Sequence, residues 1–594
     1  MSHGKQIIKS MKDKTITIRF GGEGGEGIIS AGEILSLSAA RYGWQLFSTR
    51  TYPAEIKGGL AIYQLRIGAM PVHTHGDLLD AVVCLTKESW ETFAEDVAEE
   101  TLVVYDPAEF EHDAAKYRRT LAVKFSEIAK KQLGSTMVKS AIVVGVVGNL
   151  LGLPQEIVST AFIAKFGGKR SDLLPTNVKA ISAGYREAEV SEGSLRPAGD
   201  PDKKRRLMLS GNQAMALGAL VADCKYVAGY PITPATPLLE MMARELPKFG
   251  GSFVQTEDEI AALGSCLGAS YTGARAMTAT SGPGFALMSE LVNLSVMAEV
   301  PVVIVNVQRA GPSTGMPTKT EQGDLLYALY GSPGESPRGV LAPATVDEAF
   351  SLMAEAFAAA ELAQCPIIVL SDQSLGYRLE TIDPPQMTKP KQQQADETNG
   401  SEPYKRYRYT ESGVSPVGRP GGSSPVYLAG GLEHDESGQP DYTADTHQRM
   451  ATKRVRKLSV IESLASWQLG VERDGSQNGV GIVGWGSTFG VISEALDLLE
   501  TETGKRIGYY HLRWLNPFPT IALKQWAERY EKLVVVEENF SGQLAQLVNA
   551  RTNFDCESIR KSAGVPFSAN EVVAGILKHI RIESEVRVGE AIRL

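Results

Sequence analysis

Short apolar runs alternate with amphipathic segments along most of the chain. Each run has the length of a buried strand, and the segments between the runs carry apolar residues at helical spacing. The runs are "TITIRF", "DAVVCL" and "TLVVYD" in the first part, "AMTAT", "PVVIVNVQ" and "PIIVLSD" in the middle, and "GVGIVGW" and "KLVVVE" near the end. This alternation predicts an α/β fold with sheets covered by helices.

Polar stretches between these blocks predict the domain boundaries. Residues 191–206 are rich in charge, Gly and Pro and form a linker, whereas 386–455 are poor in apolar residues and predict an extended, irregular arm. Within the arm, "PVYLAGGLEHDESGQPD" is expected to form a hairpin that packs on a neighbouring part. We therefore expect three α/β domains at 14–190, 207–385 and 456–585.

Composition narrows the class of protein. The 594 residues are 43% hydrophobic and 22% charged, and the net charge of −9 argues against nucleic acid as a partner. The N-terminus lacks a signal-peptide core, and the longest apolar run, at 141–154, is too short to cross a membrane and is expected to be a buried element. The five scattered cysteines form no CxxC pair, which excludes an iron–sulfur cluster ligated by this chain alone and suits a cytoplasmic location.

The spacing G-x-G-x-x-G occurs at residues 22–27, between an apolar strand and an apolar helix. This spacing is the fingerprint of a dinucleotide site, but Glu23 and Glu26 would repel a pyrophosphate. Thr49 and Arg50 stand where such a site needs an acid for the ribose. We interpret the motif as a tight strand-to-helix turn.

The stretch "GYPITPATP" predicts a stiff loop. Pro231 and Pro234 restrict the backbone on both sides of Ile232 and Thr233. Such a loop can present the Thr233 hydroxyl at fixed geometry, or it can be only a rigid turn.

A helix of unusually small residues is expected after "VQTEDE". Asp258 or Thr256 can cap it, Glu259 lies in its first turn, and glycines follow at 264 and 268. Because each glycine inside a helix costs about 1 kcal/mol, this surface is expected to allow close approach by a flat group or another helix. The alternative is that Glu259 only complements the helix dipole.

The loop "RAGPSTGMPTKTEQGDLL" follows a buried strand, at the position where α/β sheets bind ligands. Arg309 is suited to bidentate binding of a carboxylate, although a surface arginine is the alternative. The histidines of "HTH" and of residues 433–447 lack the spacing of a metal site. We interpret them as solvated loop residues and expect no metal on this chain.

Three groups of motifs together resemble one family. "GYPITPATP", "EDEIAALGSCLGASYTGARAMTATSGPG" and "NVQRAGPSTGMPTKTEQGDL" resemble the α chain of 2-oxoacid:ferredoxin oxidoreductases. "GGEGGEGIISAGEIL" with "YPAEIKGGLAIYQLRIG" resembles the γ module of these enzymes, and "GWGSTFGVISEALDLL" with "HLRWLNPFP" resembles their transketolase-C-like domain. The resemblance covers nearly the whole chain and implies three α/β domains of these types.

The resemblance implies a site for thiamine diphosphate in the middle domain. It places Glu259, rather than Glu257, at the aminopyrimidine ring nitrogen, with Ile232 and Gly268 also beside the cofactor. In the family, residues that match Thr233, Arg309 and Thr318 lie at the substrate, the first two at its carboxylate.

The resemblance also implies a partner. No GDG motif for Mg²⁺ and diphosphate and no cysteine set for a four-iron four-sulfur cluster occur here, and in relatives a β subunit carries both. We expect an α2β2 assembly that reduces ferredoxin and uses coenzyme A. Relatives receive coenzyme A at the γ-type domain, where Arg50 and Lys57 are candidate contacts.

The expected reaction converts 2-oxoglutarate and coenzyme A to succinyl-CoA, carbon dioxide and reduced ferredoxin, and it can run in reverse. Alternatives are pyruvate or a broad range of 2-oxoacids, a thiamine enzyme that does not use ferredoxin, and a scaffold without activity.

Overall fold

The computed structural model describes residues 15–51, 59–110, 119–167, 174–191, 193–202, 204–385, 404–420, 426–462, 470–475 and 479–580. The strands of the first region are β1 (Thr15–Glu23), β2 (Gln45–Thr51), β3 (Leu60–Gly68), β4 (Ala81–Cys84), β5 (Leu102–Tyr105) and β6 (Thr120–Ala122). Its helices are α1 (Ile28–Tyr42), α2 (Lys87–Phe93), α3 (Phe125–Glu127), α4 (Lys139–Leu150), α5 (Gln155–Phe166) and α6 (Leu174–Glu187).

The middle and C-terminal regions continue the alternation that the sequence predicts. The middle strands are β7 (Leu207–Ser210), β8 (Tyr226–Gly229), β9 (Ser252–Gln255), β10 (Ala276–Thr280), β11 (Val302–Gln308), β12 (Gly339–Leu341), β13 (Pro366–Asp372) and β14 (Leu379–Ile382). The middle helices are α7 (Gly211–Val221), α8 (Thr236–Glu245), α9 (Glu259–Tyr271), α10 (Gly282–Leu287), α11 (Ser289–Met297), α12 (Leu325–Tyr330), α13 (Val346–Ala363) and α14 (Gln373–Tyr377).

The last region begins with the long helix α15 (Ala444–Glu462). Its strands are β15 (Gly470–Arg473), β16 (Val480–Trp485), β17 (Gly508–Leu512), β18 (Trp514–Asn516), β19 (Lys532–Glu537) and β20 (Cys556–Arg560). Its other helices are α16 (Phe489–Thr503), α17 (Thr520–Ala527), α18 (Gln543–Thr552) and α19 (Ala569–Leu577). The α/β prediction is confirmed in all three regions.

The sheets join regions that are far apart in sequence. The first sheet has the order β6-β5-β4-β1-β3-β2-β14-β7, so two strands of the middle region complete it. The second has the order β18-β12-β13-β11-β10-β8-β9, and β18 of the last region forms its antiparallel edge. The third has the order β15-β17-β16-β19-β20. The domains therefore share β-sheets with one another and do not merely pack against each other.

The second sheet positions the site. Strands β8 to β13 are parallel along it, so their carboxyl ends lie at one edge and their amino ends at the other. Its core strand β11 is fully buried. Ligands of open parallel sheets bind at the carboxyl edge, where loops from neighbouring strands meet.

The apolar run at 141–154 is a core element, as expected. It forms most of α4, which packs against α6 with backbones in close contact: a Cβ added to Gly145 would lie 2.1 Å from the Ile181 carbonyl oxygen. The Asn149 side-chain amide donates to the Tyr185 carbonyl oxygen over 2.9 Å.

An ion pair and a carboxylate at a helix end fasten the first region to the last. The Arg66 guanidinium donates to both carboxylate oxygens of Glu494 at 2.7 and 2.9 Å. The Asp77 carboxylate accepts from the backbone amides of Ala569 and Asn570 at the start of α19, which satisfies free amides of the helix end.

The structure differs from the predicted extended arm in the last part of this segment, where residues 444–455 are helical. Helix α15 crosses the expected boundary at residue 455 and buries Met450 and Ile461 together with three cationic side chains. A helix face with so many buried cations has no apolar stripe, so the sequence pattern does not indicate it. Upstream of it, a turn pairs His434 with Pro440, as expected of a hairpin.

Candidate active site at the carboxyl edge of the middle sheet

Four successive strand ends bring the motifs together. The loop after β8 carries Thr233, the segment after β9 leads to Glu259, Ser281 precedes α10 after β10, and Arg309 follows β11 directly. Because these strands are parallel neighbours, residues that are far apart in sequence share one edge of the sheet.

Glu259 is buried at the start of α9. Of the two caps that the sequence allows, the structure has Asp258, whose carboxylate accepts from the Ala261 amide over 2.7 Å. The Glu259 residue is 5% exposed, and a Cβ added to Gly284 would lie 2.3 Å from its Oε1, so a side chain at position 284 would displace the carboxylate. Burial raises the pKa of Glu259 above its ordinary value. A glutamate that only complemented a helix dipole would gain nothing from this burial.

The Arg309 guanidinium connects two of the loops. Its Nη1 donates to the Thr233 carbonyl oxygen over 2.7 Å, and the residue is 7% exposed. The Thr233–Pro234 peptide bond is cis, and Ile232 packs partly against the core beneath the loop. Arg309 Nε is buried without a hydrogen-bond partner among the described residues. The surface-arginine alternative is therefore excluded.

Asp324 is a site residue that the sequence analysis missed. Its carboxylate accepts from the Asn306 side chain over 2.9 Å and lies against Gly282, and burial raises its pKa. Asp324 precedes α12 but makes no side-chain cap bond to it. Its place at the end of the "TEQGDLL" segment, where the loop from Arg309 returns to the sheet, is the one signal that could have found it.

The small-residue face of α9 is open, as expected. A Cβ added to Gly268 would meet nothing within 4 Å among the described residues, and one added to Gly264 would meet only Leu291, at 3.5 Å. Ile260, one turn before Gly264 on α9, is 47% exposed, and Leu287 at the end of α10 is 53% exposed. This surface of glycine and exposed apolar side chains has room for a flat group.

The loop that returns to Asp324 is exposed in its middle and fastened at its end. Residues 311–318, which include Thr318, are exposed, and no described contact brings Thr318 to Glu259. At the fastened end, the Gln322 side chain donates to the Trp485 carbonyl oxygen over 3.0 Å and accepts from the Glu538 amide over 3.0 Å. Burial raises the pKa of the Glu538 carboxyl to about 8.

The glycine motif forms a tight turn, and the side chain of Glu26, a residue of the motif, fills it. The Glu26 carboxylate accepts from the Glu23 amide over 3.1 Å and pairs with Lys139 over 3.1 Å. A carboxylate in this position leaves no cradle for a pyrophosphate. Arg50 pairs with Glu33, and Lys57 lies outside the described residues, so their role at coenzyme A remains a prediction.

The histidine interpretation holds only in part. His447 is exposed, with 73% of its side chain accessible, but it lies in helix α15 and not in a loop. His434 is 4% exposed and packs on the Tyr407 ring with centroids 4.1 Å apart. In the described part of the chain, no three His, Cys, Asp or Glu side chains are grouped so that they could hold a metal ion. No helix there is long and apolar enough to cross a membrane.

Three sequence models of one family match the chain. The pyruvate flavodoxin/ferredoxin oxidoreductase thiamine diphosphate-binding model matches residues 217–453. The pyruvate ferredoxin/flavodoxin oxidoreductase model matches 17–187, and core domain II of pyruvate:ferredoxin oxidoreductase matches 479–572.

Relatives match over nearly their whole length. The 2-oxoacid:ferredoxin oxidoreductase 2 subunit alpha of Aeropyrum pernix is 33% identical over 96% of this chain and 99% of that protein. The 2-oxoglutarate oxidoreductase subunit KorA of Mycobacterium tuberculosis is 32% identical over 94% and 90%. The solved structure of 2-oxoglutarate:ferredoxin oxidoreductase from Magnetococcus marinus, with 2-oxoglutarate, coenzyme A and succinyl-CoA bound, is 36% identical, has a TM-score of 0.90 and covers 96% of this chain and 100% of its own.

Proposed function

The chain belongs to the alpha subunits of the 2-oxoacid:ferredoxin oxidoreductases, and on that premise we propose that its substrate is 2-oxoglutarate. The products are then succinyl-CoA, carbon dioxide and reduced ferredoxin, in a reaction that can also run in reverse. Two similarities support this substrate: the Mycobacterium relative is named for 2-oxoglutarate, and the Magnetococcus structure contains it.

The proposal rests on one observation. A buried acid, Glu259, and an arginine without a carboxylate partner in the described part of the chain, Arg309, lie at the same edge of the sheet. Glu259 has a raised pKa, and Arg309 has a buried Nε without a partner in the described residues. A carboxylic acid that keeps its proton can donate to a ring nitrogen. A guanidinium that is not already in an ion pair can take a substrate carboxylate.

The start of α9 and the open face along this helix fit thiamine diphosphate. Gly264 and Gly268 leave the face of α9 open to a flat ring, and Glu259 lies at the start of the same helix. When bound, the cofactor supplies the carbon that attacks the 2-oxoacid carbonyl. Glu259 holds and donates the proton for the ring nitrogen, and Ile232 and Gly268 border the ring.

Arg309 and Thr233 orient the substrate in this proposal. The bond from Arg309 Nη1 to the Thr233 carbonyl oxygen holds the guanidinium against the backbone of Thr233 at this edge. The guanidinium binds the carboxylate next to the reacting carbonyl, the Thr233 hydroxyl contacts it, and Thr318 approaches from the exposed loop.

A β subunit completes the site. The exposed apolar side chains of Ile260 on α9 and Leu287 on α10 offer it apolar contacts. In this proposal the β subunit carries Mg²⁺, the diphosphate site and a four-iron four-sulfur cluster, and the assembly is an α2β2 complex in the cytoplasm. Coenzyme A approaches from the γ-type domain, with Arg50 and Lys57 as its contacts.

Reduction of a viologen dye tests the proposal. The chain is purified without oxygen together with the β subunit, loaded with thiamine diphosphate, and assayed with coenzyme A and either 2-oxoglutarate or pyruvate. We expect rapid reduction with 2-oxoglutarate only. Reduction with pyruvate alone would keep the family and overturn the substrate. A complex without iron would favour a thiamine enzyme of another class.

A further inference from the structure

The loop at residues 310–322 follows Arg309, and we call it the substrate loop because the proposed function places it at the 2-oxoacid. It ends at Gln322, which is fully buried. The Gln322 side chain donates to the Trp485 carbonyl oxygen and accepts from the Glu538 amide, both over 3.0 Å. Its backbone amide donates to the Glu538 carbonyl oxygen over 2.6 Å. Gln322 therefore ties the end of the substrate loop to the backbone of the last region.

The Gln322 side chain lies where two strands of the third sheet end. Trp485 is the last residue of β16, Glu538 follows β19 directly, and these strands are parallel neighbours. Gly486 leaves room for the amide, since a Cβ at this position would lie 2.9 Å from Gln322 Nε2. Loops and ligands of parallel sheets meet at this edge. The carboxyl edge of the third sheet therefore binds the end of the substrate loop.

The last region also contacts the middle of the loop. The Ser562 hydroxyl donates to the Glu321 carboxylate. A Cβ added to Gly564 would lie 2.9 Å from Met316 Cε and 3.0 Å from Lys319 Cβ, so both side chains pack closely on the Gly564 backbone. The last region therefore supports the substrate loop along its length and not only at its end.

Hydrogen bonds inside the loop connect these contacts with the residues that face the substrate. The Ala310 amide donates to the Lys319 carbonyl oxygen over 3.0 Å, and the Met316 amide donates to the Ala310 carbonyl oxygen over 2.8 Å. Ala310 directly follows Arg309, and Lys319 directly follows Thr318. A shift of the supported part of the loop would therefore displace both Arg309 and Thr318.

We propose that Gln322 is a positioning residue through which the last region holds the substrate loop in the arrangement that binds the 2-oxoacid. This inference rests on the proposed function, because it needs the substrate carboxylate at Arg309. A loop that leaves this arrangement for part of the time offers a complete site in only a fraction of the molecules, and the apparent affinity falls by the same fraction. The last region, which lies outside the middle sheet except for β18, thereby acts on substrate binding.

The alternative is that Gln322 only helps to join two regions. These regions are also joined away from the loop, because β18 pairs with β12 and the Arg513 guanidinium donates to the Glu348 carboxylate over 2.8 Å. At the start of α12, the Gln543 side chain donates to the Gly323 carbonyl oxygen over 2.6 Å. Loss of the Gln322 side-chain bonds should therefore leave the regions docked and free only the loop.

The variant Gln322→Met tests the proposal, because methionine keeps the length of the side chain but removes its hydrogen bonds. In viologen reduction by the complete complex, we expect KM for 2-oxoglutarate to rise about tenfold, with kcat within about twofold and KM for coenzyme A unchanged. A merely structural role would lower the active fraction, and with it kcat, at an unchanged KM. That result would overturn the proposal.

Hydrogen exchange of the same complex gives a readout that does not depend on turnover. The amides of Ala310 and Met316 are bonded inside the loop and should exchange about tenfold faster in Gln322→Met. The amides of β12 and β18 should exchange as in the unchanged protein. Unchanged exchange in the loop, or faster exchange in β12 and β18 as well, would contradict a role confined to the loop.

The variant Ser562→Ala keeps the proposal testable if Gln322→Met does not fold. Ser562 is exposed, so its loss should not endanger folding, and the loss of its bond to Glu321 should raise KM about twofold. An unchanged KM in Ser562→Ala would contradict the supporting role of the last region.

Two further variants separate the possible failures. Glu348→Gln is the matched control, since it removes a contact between the same two regions that does not involve the loop. If it raised KM as much as Gln322→Met, the effect would belong to docking of the regions, and the proposal would be wrong. Arg309→Gln tests the premise: an unchanged KM in this variant would overturn the proposed function itself, whereas a raised KM with no effect of Gln322→Met would overturn only this inference.

Discussion

At the amino edge of the middle sheet, the Glu299 carboxylate has three cations within 4 Å, whereas at the carboxyl edge Arg309 has no carboxylate that close among the described residues. The Nζ atoms of Lys453 and Lys457 lie 2.5 Å from Glu299, and Arg406 Nη1 lies 3.8 Å away. All of these side chains are at most 3% exposed.

This difference indicates that the charges at the amino edge stabilise the fold, whereas those at the carboxyl edge serve to bind a ligand. The paired charges at the amino edge hold α15 and the segment at 404–420 against the sheet, and their geometry is complete without a ligand. The charges at the carboxyl edge are buried but incomplete, which is costly unless a bound molecule completes them. The two edges should therefore respond to mutation in different ways.

The largest effect is expected from Glu259→Gln at the carboxyl edge. Glutamine cannot give up a proton to the cofactor ring, so we expect kcat to fall about a thousandfold while the unfolding midpoint stays nearly unchanged. Viologen reduction and a thermal melt of the same preparation measure the two quantities. The matched control is Glu257→Gln, because Glu257 is exposed two residues away. Near-normal turnover of Glu259→Gln would contradict the role of Glu259 as the proton donor to the cofactor ring.

At the amino edge the order of effects should reverse. Glu299→Gln leaves three buried cations without their carboxylate, and we expect a loss of about 3 kcal/mol in the free energy of unfolding. KM for the 2-oxoacid should not change, since no group of this cluster lies at the carboxyl edge. Glu91→Gln, at an exposed pair with Lys87, is the control and should melt like the unchanged protein. A raised KM in Glu299→Gln would break the distinction between the edges.

The same cluster predicts a pH dependence of stability. Burial would raise the pKa of Glu299, but Lys457 and Lys453 lower it to about 2. Because the folded pKa is below the ordinary value of 4.5, the stabilisation is complete above about pH 4.5 and is lost as the pH falls toward 2. The difference in stability between the unchanged protein and Glu299→Gln should therefore shrink in this window, as denaturant titrations at several pH values can show. A constant difference would contradict the lowered pKa.

The sequence predicted the carboxyl edge better than the amino edge, and the reason is physical. Strand ends and a helix cap at Asp258 or Thr256 follow from local rules of periodicity and capping, and the resemblance to the family singled out Glu259. The cluster around Glu299 unites residues more than a hundred positions apart, and its lysines appear in the sequence as an ordinary solvated face. Burial of such charges depends on tertiary partners that no local pattern reveals.

The sequence did not reveal the sheets that two regions share, for the same reason. Strands β7 and β14 join the first sheet although the helices and strands between them belong to the middle region. Pairing of this kind depends on which edges remain open after each region has folded. Asp324 was missed because its partners, Asn306 and Gly282, become neighbours only when parallel strands align.

The smallest effect is expected from Gly268→Ala at the open face of α9. Alanine at position 268 meets no described atom within 4 Å, and it should stabilise the helix by up to about 1 kcal/mol in the chain without its partner. The added methyl group should nevertheless weaken thiamine diphosphate binding, because it stands on the surface that the ring needs. A melt of the chain alone and a titration of the complex with thiamine diphosphate measure the two changes. Opposite signs would mean that Gly268 is kept for close approach at a cost in stability, as expected of an edge built for binding. A more stable chain with unchanged affinity would instead place the ring away from Gly268.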